Sequence, residues 1–159
     1  MPIYMKIDSI KGDVTAAEYK EWIAVHSMQF GVGRAISSAV GGGTKREAGA
    51  PSISEITLSK SFDTSSIELF AWSLGGKSKL VKIDLVQTGD KDKLNAYLKY
   101  ELTNTLLSGY SLSTGGDLPS ESISLNFTKI TEKYTQYKDD NVVGQPVLKG
   151  YDLATAKMV

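Results

Sequence analysis

The stretch Leu94-Asn95-Ala96-Tyr97-Leu98-Lys99-Tyr100-Glu101-Leu102-Thr103-Asn104-Thr105-Leu106 decides the fold class. Leu94, Ala96, Leu98, Tyr100, Leu102 and Leu106 share one parity, while Asn95, Lys99, Glu101, Thr103 and Thr105 occupy the other. Successive side chains on a strand point to opposite faces, so this pattern predicts a long antiparallel strand with one buried and one wet face. Working outward, Val81, Ile83 and Leu85 alternate with Lys82, Asp84 and Val86, and Ile123, Leu125 and Phe127 alternate with Ser122, Ser124, Asn126 and Thr128. The last run continues from Ile130 to Tyr137 with a blurred parity, which predicts a bulge or a change of face near Lys129. Ile3 to Ile7 and Ile53 to Lys60 read as shorter strands. Met28, Phe30 and Val32 alternate with Ser27, Gln29 and Gly31, placing the first set toward a core and the second on the opposite face. The sum is about six to seven strands.

One segment breaks the rhythm. After Asp63, Ser65 and Glu68 have capping-box spacing, and Ile67, Phe70, Ala71 and Leu74 recur at three- and four-residue intervals before Gly75-Gly76, which predicts a helix. Thr15 to Trp22 has similar spacing but is short, and reads as a turn or a single helical loop. Ala35 to Pro51, with Gly41-Gly42-Gly43 and the charged group Lys45, Arg46 and Glu47, reads as a long irregular loop. Thr114 to Asp117 and Asn141 to Pro146 read as turns. The expected architecture is mainly β, an antiparallel β-barrel or sandwich with one flanking α-helix, in a single domain over residues 1–159.

Composition narrows the function. The 159 residues carry 18 basic and 18 acidic side chains, so the basic footprint of a nucleic-acid binder is missing. There is no cysteine, which removes disulfides, thiolate metal sites and a cysteine nucleophile together. No stretch approaches the ~18 apolar residues of a spanning helix, and the start offers no basic region followed by an apolar run, so neither membrane insertion nor a signal peptide is expected. His26 is the sole histidine and has no neighbouring carboxylate. Gly31-Val32-Gly33 reaches Ile36 where a dinucleotide fingerprint needs its third glycine, and Gly41-Gly42-Gly43-Thr44-Lys45 lacks the order of a phosphate loop. Asp90 and Asp92, like Asp139 and Asp140, sit beside lysines in polar turns, where solvated charge is the natural role. No catalytic residue, cofactor or metal is expected. A β domain with open strand edges must cover them or pair them with another copy, which favours self-association.

Tyr4-Met5-Lys6-Ile7 with Ile10-Lys11-Gly12, then Trp22 and Phe30-Gly31-Val32, begin a series of ordered segments. Ser52 to Ile56, Phe62-Asp63, Tyr97 to Thr105, Ser108 to Ser111, Gly115-Gly116, Glu121 to Phe127 and Gly150 to Leu153 complete it. As a set they resemble the haemolysin-coregulated protein family over nearly the whole chain. The resemblance implies a fold like phage tail-tube proteins and a non-enzymatic subunit of the type VI secretion inner tube. Hexameric rings would stack, meet spike and sheath components, and carry small effector proteins in the lumen. The protein would be cytoplasmic during assembly and then secreted, and no fused effector domain is expected. It further implies that the loop bearing Gly41, Gly42, Gly43, Lys45 and Arg46 contacts the next ring, and that Ser27 and Gln29 face the channel and its cargo. A monomeric β-sandwich module binding a carbohydrate or peptide is the alternative.

Overall fold

The computed structural model describes residues 1–38, 40–41 and 46–159. In chain order the strands are β1 (Ile3–Ile7), β2 (Ile23–Val25), β3 (Ser27–Gln29), β4 (Val32–Ser38), β5 (Arg46–Ile53) and β6 (Ile56–Ser61). The helix α1 (Ser66–Leu74) follows. Then come β7 (Lys79–Thr88), β8 (Leu94–Ser113), β9 (Ser120–Asn126), β10 (Lys129–Lys138), β11 (Asn141–Asp152) and β12 (Lys157–Met158). The mainly β, antiparallel expectation with one α-helix holds, but more strands form than the alternation reveals, because several are short or exposed on both faces.

Pairing closes a barrel. β1 lies between β2 and β7, β7 pairs β8, β8 pairs β9, β9 pairs β6, and β6 pairs β3. β2 and β3 are one run of chain joined at His26, whose N–H donates to the Ser59 carbonyl at 2.8 Å, so the circuit is complete. β10, β11 and β12 extend the wall beyond β8. β8 belongs to both halves: Leu94 to Thr105 pairs with β7, Leu98 to Thr103 also with β10, and from Leu106 it pairs with β9.

At the changeover Asn104 takes φ 54°, a left-handed conformation that asparagine tolerates better than most residues. The kink shifts the alternation by one. Thr105 and Leu107 are buried, whereas Leu106 is 46% exposed, which corrects its expected place in the core. Asn95, expected on the wet face, is also buried and donates to Asp140 Oδ1 at 2.7 Å.

The barrel is filled by Met5, Ile7, Ile23, Ile56, Leu58, Val81, Ile83, Leu102, Ile123 and Leu125, with Leu69 and Trp72 contributed by α1. The stripe that announces the helix is therefore not the face it buries: Ile67, Phe70 and Leu74 are exposed. The capping box does not form either. Asp63 Oδ1 instead accepts the Ser65 N–H at 2.9 Å and the Ser65 hydroxyl. A smaller cluster of Tyr19, Val86 and Ala96 lies on the outside of the β1–β7–β8 wall, covered by the segment that includes Val14, Ala16 and Trp22. A short 3-10 turn, Ala17–Tyr19, occupies the predicted helical loop. That cover depends on Gly12, where any Cβ would sit 2.3 Å from the Trp22 carbonyl oxygen.

Three further corrections concern connections. Within Ala35 to Pro51, expected as an irregular loop, residues 35–38 and 46–51 instead belong to a two-stranded ribbon, β4 with β5, exposed along most of both strands and so without an apolar rhythm. Val32, expected in the core, starts that ribbon and is 62% exposed. The run from Ser122 to Tyr137 is two strands, since the chain leaves β9 at Asn126 and joins the other half of the wall at Lys129. The predicted turn at Asn141 to Pro146 falls within β11, where a register shift opposite Tyr134 and Gln136 accommodates Gly144 at φ 71°.

Candidate functional site

The outward face of the β3–β6–β9–β8 wall is built from alternation alone. Ile56, Leu58, Ile123 and Leu125 point into the barrel, so their neighbours must point out. Strand register then aligns Ser27, Ser59, Ser122 and Ser111 in one row, and Gln29, Thr57, Ser124 and Gly109 in the next. A third row holds Ser61, Ser120 and Ser113. No residue in these rows is charged. The Ser27 and Ser59 hydroxyls bond each other sideways, while Ser61 Oγ lies 2.6 Å from His26 Nε2.

Below the second row the face dips into an open concavity of about 710 Å³, lined by Gln29, Gly31, Ser54, Glu55, Thr57 and Ser108 among others. Among the described residues Glu55 is the one charged residue lining it. Its carboxylate accepts the hydroxyl of Ser108, the extra residue at a register shift between Leu107 and Gly109. A bulge turns a side chain away from its regular direction, and here it brings Ser108 onto Glu55 and onto the Ser124 carbonyl oxygen at 3.1 Å. Gly31 and Ser54 hold the rim through two bonds, Gly31 N–H to Ser54 Oγ at 2.8 Å and Ser54 N–H to the Gly31 carbonyl at 2.9 Å.

The outward face of the β1–β7–β8–β10 wall is different in kind. Register aligns Tyr4, Asp84, Lys99 and Lys133 in one row and Lys6, Lys82, Glu101 and Thr131 in another. Asp84 is 5% exposed, accepts the Tyr19 hydroxyl at 3.0 Å and lies 3.9 Å from Lys99 Nζ. Burial raises its carboxyl above the usual range, against the opposing pull of Lys99, Tyr19 and Lys82. The Tyr19 phenol is in turn raised by burial and then by the Asp84 charge. Among the described residues, no group of three or more acidic or histidine ligands could hold a metal ion.

Residues 4–134 match the family described as "Type VI secretion system effector, Hcp". The chain belongs to the Hcp family. Type VI secretion tube proteins of this family are secreted by that system. A comparison with curated proteins finds no match. Among solved structures, Hcp1 from Salmonella typhimurium is similar at 22% identity and TM-score 0.81, covering 99% of this chain and 98% of that one. A type VI secretion system effector from Yersinia pestis is similar at 23% identity and TM-score 0.74, over 94% and 98%. A further type six secretion system protein reaches TM-score 0.88 at 22% identity, over 99% of both chains. These likenesses establish that the Hcp fold is shared.

Ser27 and Gln29, singled out from the sequence, stand together on β3 at the edge of this Hcp chain's hydroxyl face, and both are exposed. Gly41 adopts φ 75° near the tip of the β4–β5 ribbon, and Arg46 opens β5 opposite Ser38. Gly42, Gly43 and Lys45 lie outside the described residues. Sequence reasoning missed Ser59, Ser111 and Glu55 as members of one surface. The alternation of β9 exposes Ser122 and Ser124 and hints at the first two, but only the bulge at Ser108 defines the surroundings of Glu55.

Proposed function

We propose that this Hcp chain is a subunit of the type VI secretion inner tube, assembling into hexameric rings that stack and carry small effector proteins in the lumen. The observation that carries this reading is the hydroxyl face. A sheet surface with serine, threonine and glutamine in registered rows, and no charge in them, suits a wall along which another polypeptide lies or passes. Ser27 and Gln29 then face the channel, and the exposed β4–β5 ribbon with Gly41 and Arg46 reaches the next ring. Spike and sheath components are the expected neighbours of the assembled tube. The chain acts by assembly and has no enzymatic role in this reading.

Light scattering and negative-stain imaging of the purified protein test it. The expected result is a mass several-fold above 17.2 kDa with annular particles. A species that stays at 17.2 kDa at tens of micromolar overturns the tube and favours a monomeric binding module. Gln29→Glu should leave the ring intact and reduce co-purification of a luminal effector, whereas full retention removes Gln29 from the cargo surface.

A further inference from the structure

We infer that the Glu55 concavity is a binding site for a single cationic side chain, a lysine or arginine presented by a polypeptide lying on the hydroxyl face. That the polypeptide is cargo rests on the tube reading above; the site itself rests on the geometry of one copy.

Three observations point the same way. Among the described residues Glu55 is the only charge lining the concavity, so an incoming cation meets one carboxylate and no competing lysine or arginine there. The carboxylate is held rather than free, because the hydroxyl of the bulged Ser108, which shares its one proton between Glu55 and the Ser124 carbonyl oxygen 3.1 Å away, donates to it. A carboxylate oxygen has more than one acceptor direction, so the Ser108 bond leaves capacity for a further donor. The approach is also open: Gly31 has no side chain, and a Cβ built there would meet nothing within 4 Å. Gln29, whose amide oxygen is a second acceptor, also lines the concavity. A planar guanidinium can bind a carboxylate through two N–H groups at once, which a compact ammonium cannot, so arginine should bind more tightly than lysine.

The neutrality of the surrounding rows gives the site its selectivity. Hydroxyls around a lone carboxylate neither repel nor compete for a cation, so the contact should weaken with salt through one charge pair only.

A ligand-observed NMR titration with acetyl-Gly-Arg-Gly amide tests the inference on the protein as purified. Saturable binding is expected, falling at least about threefold in Glu55→Gln and for the citrulline peptide, which keeps the shape but loses the charge. Glu68→Gln, an exposed carboxylate on α1, should leave binding unchanged. Absence of saturable binding, equal binding by Glu55→Gln, equal binding of the citrulline peptide, or an equal loss in Glu68→Gln each overturns the site. Light scattering on the same samples keeps the two readings apart. Glu55-dependent binding to a 17.2 kDa species upholds the site while the tube fails, and rings that ignore the peptide do the reverse.

Discussion

The two halves of the barrel wall are mirror images in polarity. The β1–β7–β8–β10 half carries lysines and acids on its outside and backs onto Ile83, Val81 and Leu102 inside. The β3–β6–β9–β8 half has uncharged rows outside, with Glu55 only at their lower edge, and carries its ion pair inside: Lys60 and Glu121, both fully buried, face each other across β6 and β9 with Nζ 2.8 Å from Oε1. The three N–H groups of Lys60 are shared among Glu121, the Ser61 carbonyl, Asp63 and Ser66, all within 3.2 Å of Nζ, which ties the start of α1 to the wall. Glu121 Oε2 has no hydrogen-bond partner among the described residues. A buried pair of this kind stabilises little over an apolar pair of similar volume, yet breaking it leaves an uncompensated charge. The lesson is that a strand's outward chemistry and its inward chemistry are set independently, each by what it meets.

The contrast is broken most severely at Lys60. Lys60→Met should cost about 3–5 kcal/mol in denaturant unfolding, because Glu121 is left buried and unpaired. Lys60→Met with Glu121→Leu should recover most of that loss. A single variant losing under about 1 kcal/mol would mean that water reaches the cluster and the inside of this half is not ionic in the sense described.

A smaller effect is expected at Asp84, the one buried acid on the charged outside. Its folded carboxyl titrates above the unfolded value of 3.8, so the folded protein holds that proton more tightly than the unfolded chain. The resulting stabilisation is complete below pH 3.8 and is lost as pH rises through the folded value. Asp84→Asn, which can still accept from Tyr19, should therefore raise stability at neutral pH by less than about 1 kcal/mol, seen as a higher melting temperature, and should lack this acid-side component. An unchanged pH profile in the variant would show that Lys99 and Lys82 fully offset burial.

The least disturbance belongs on the hydroxyl rows. Ser59→Ala and Ser122→Ala should each stay within about 0.5 kcal/mol of the parent in thermal unfolding, since neither side chain is fully buried and Ser59 bonds only sideways to the exposed Ser27. A larger loss would make the rows part of the fold's stability and not a surface kept for contact.

Much of this was legible in the alternation. Ile123, Leu125 and Phe127 pack inward as read, and Ser122 and Ser124 point outward. Lys60 shares the parity of Ile56 and Leu58, so its burial was written in the same rhythm and was hidden only by its charge. Leu106 could not be placed, because a single left-handed residue at Asn104 reverses parity without any glycine or proline to mark it. The β4–β5 ribbon was invisible for the opposite reason: strands exposed to solvent on both sides have no hydrophobic period. Glu55 carries no local signal, since its surroundings come from a bulge more than fifty residues away in the chain.

The twenty-residue β8 also has a mechanical meaning. Tension applied along it is resisted over Leu98 to Thr103 by bonds on both edges, to β7 and β10, and beyond Leu106 by the bonds to β9. Those bonds are strained sideways and share the load, so they must yield together. A pull on β12, held through two paired residues at the rim, opens its bonds one after another like a zip. The protein is therefore stiff along its central strand and weak at its terminal edge, and a force that strips away the edge can leave the barrel standing.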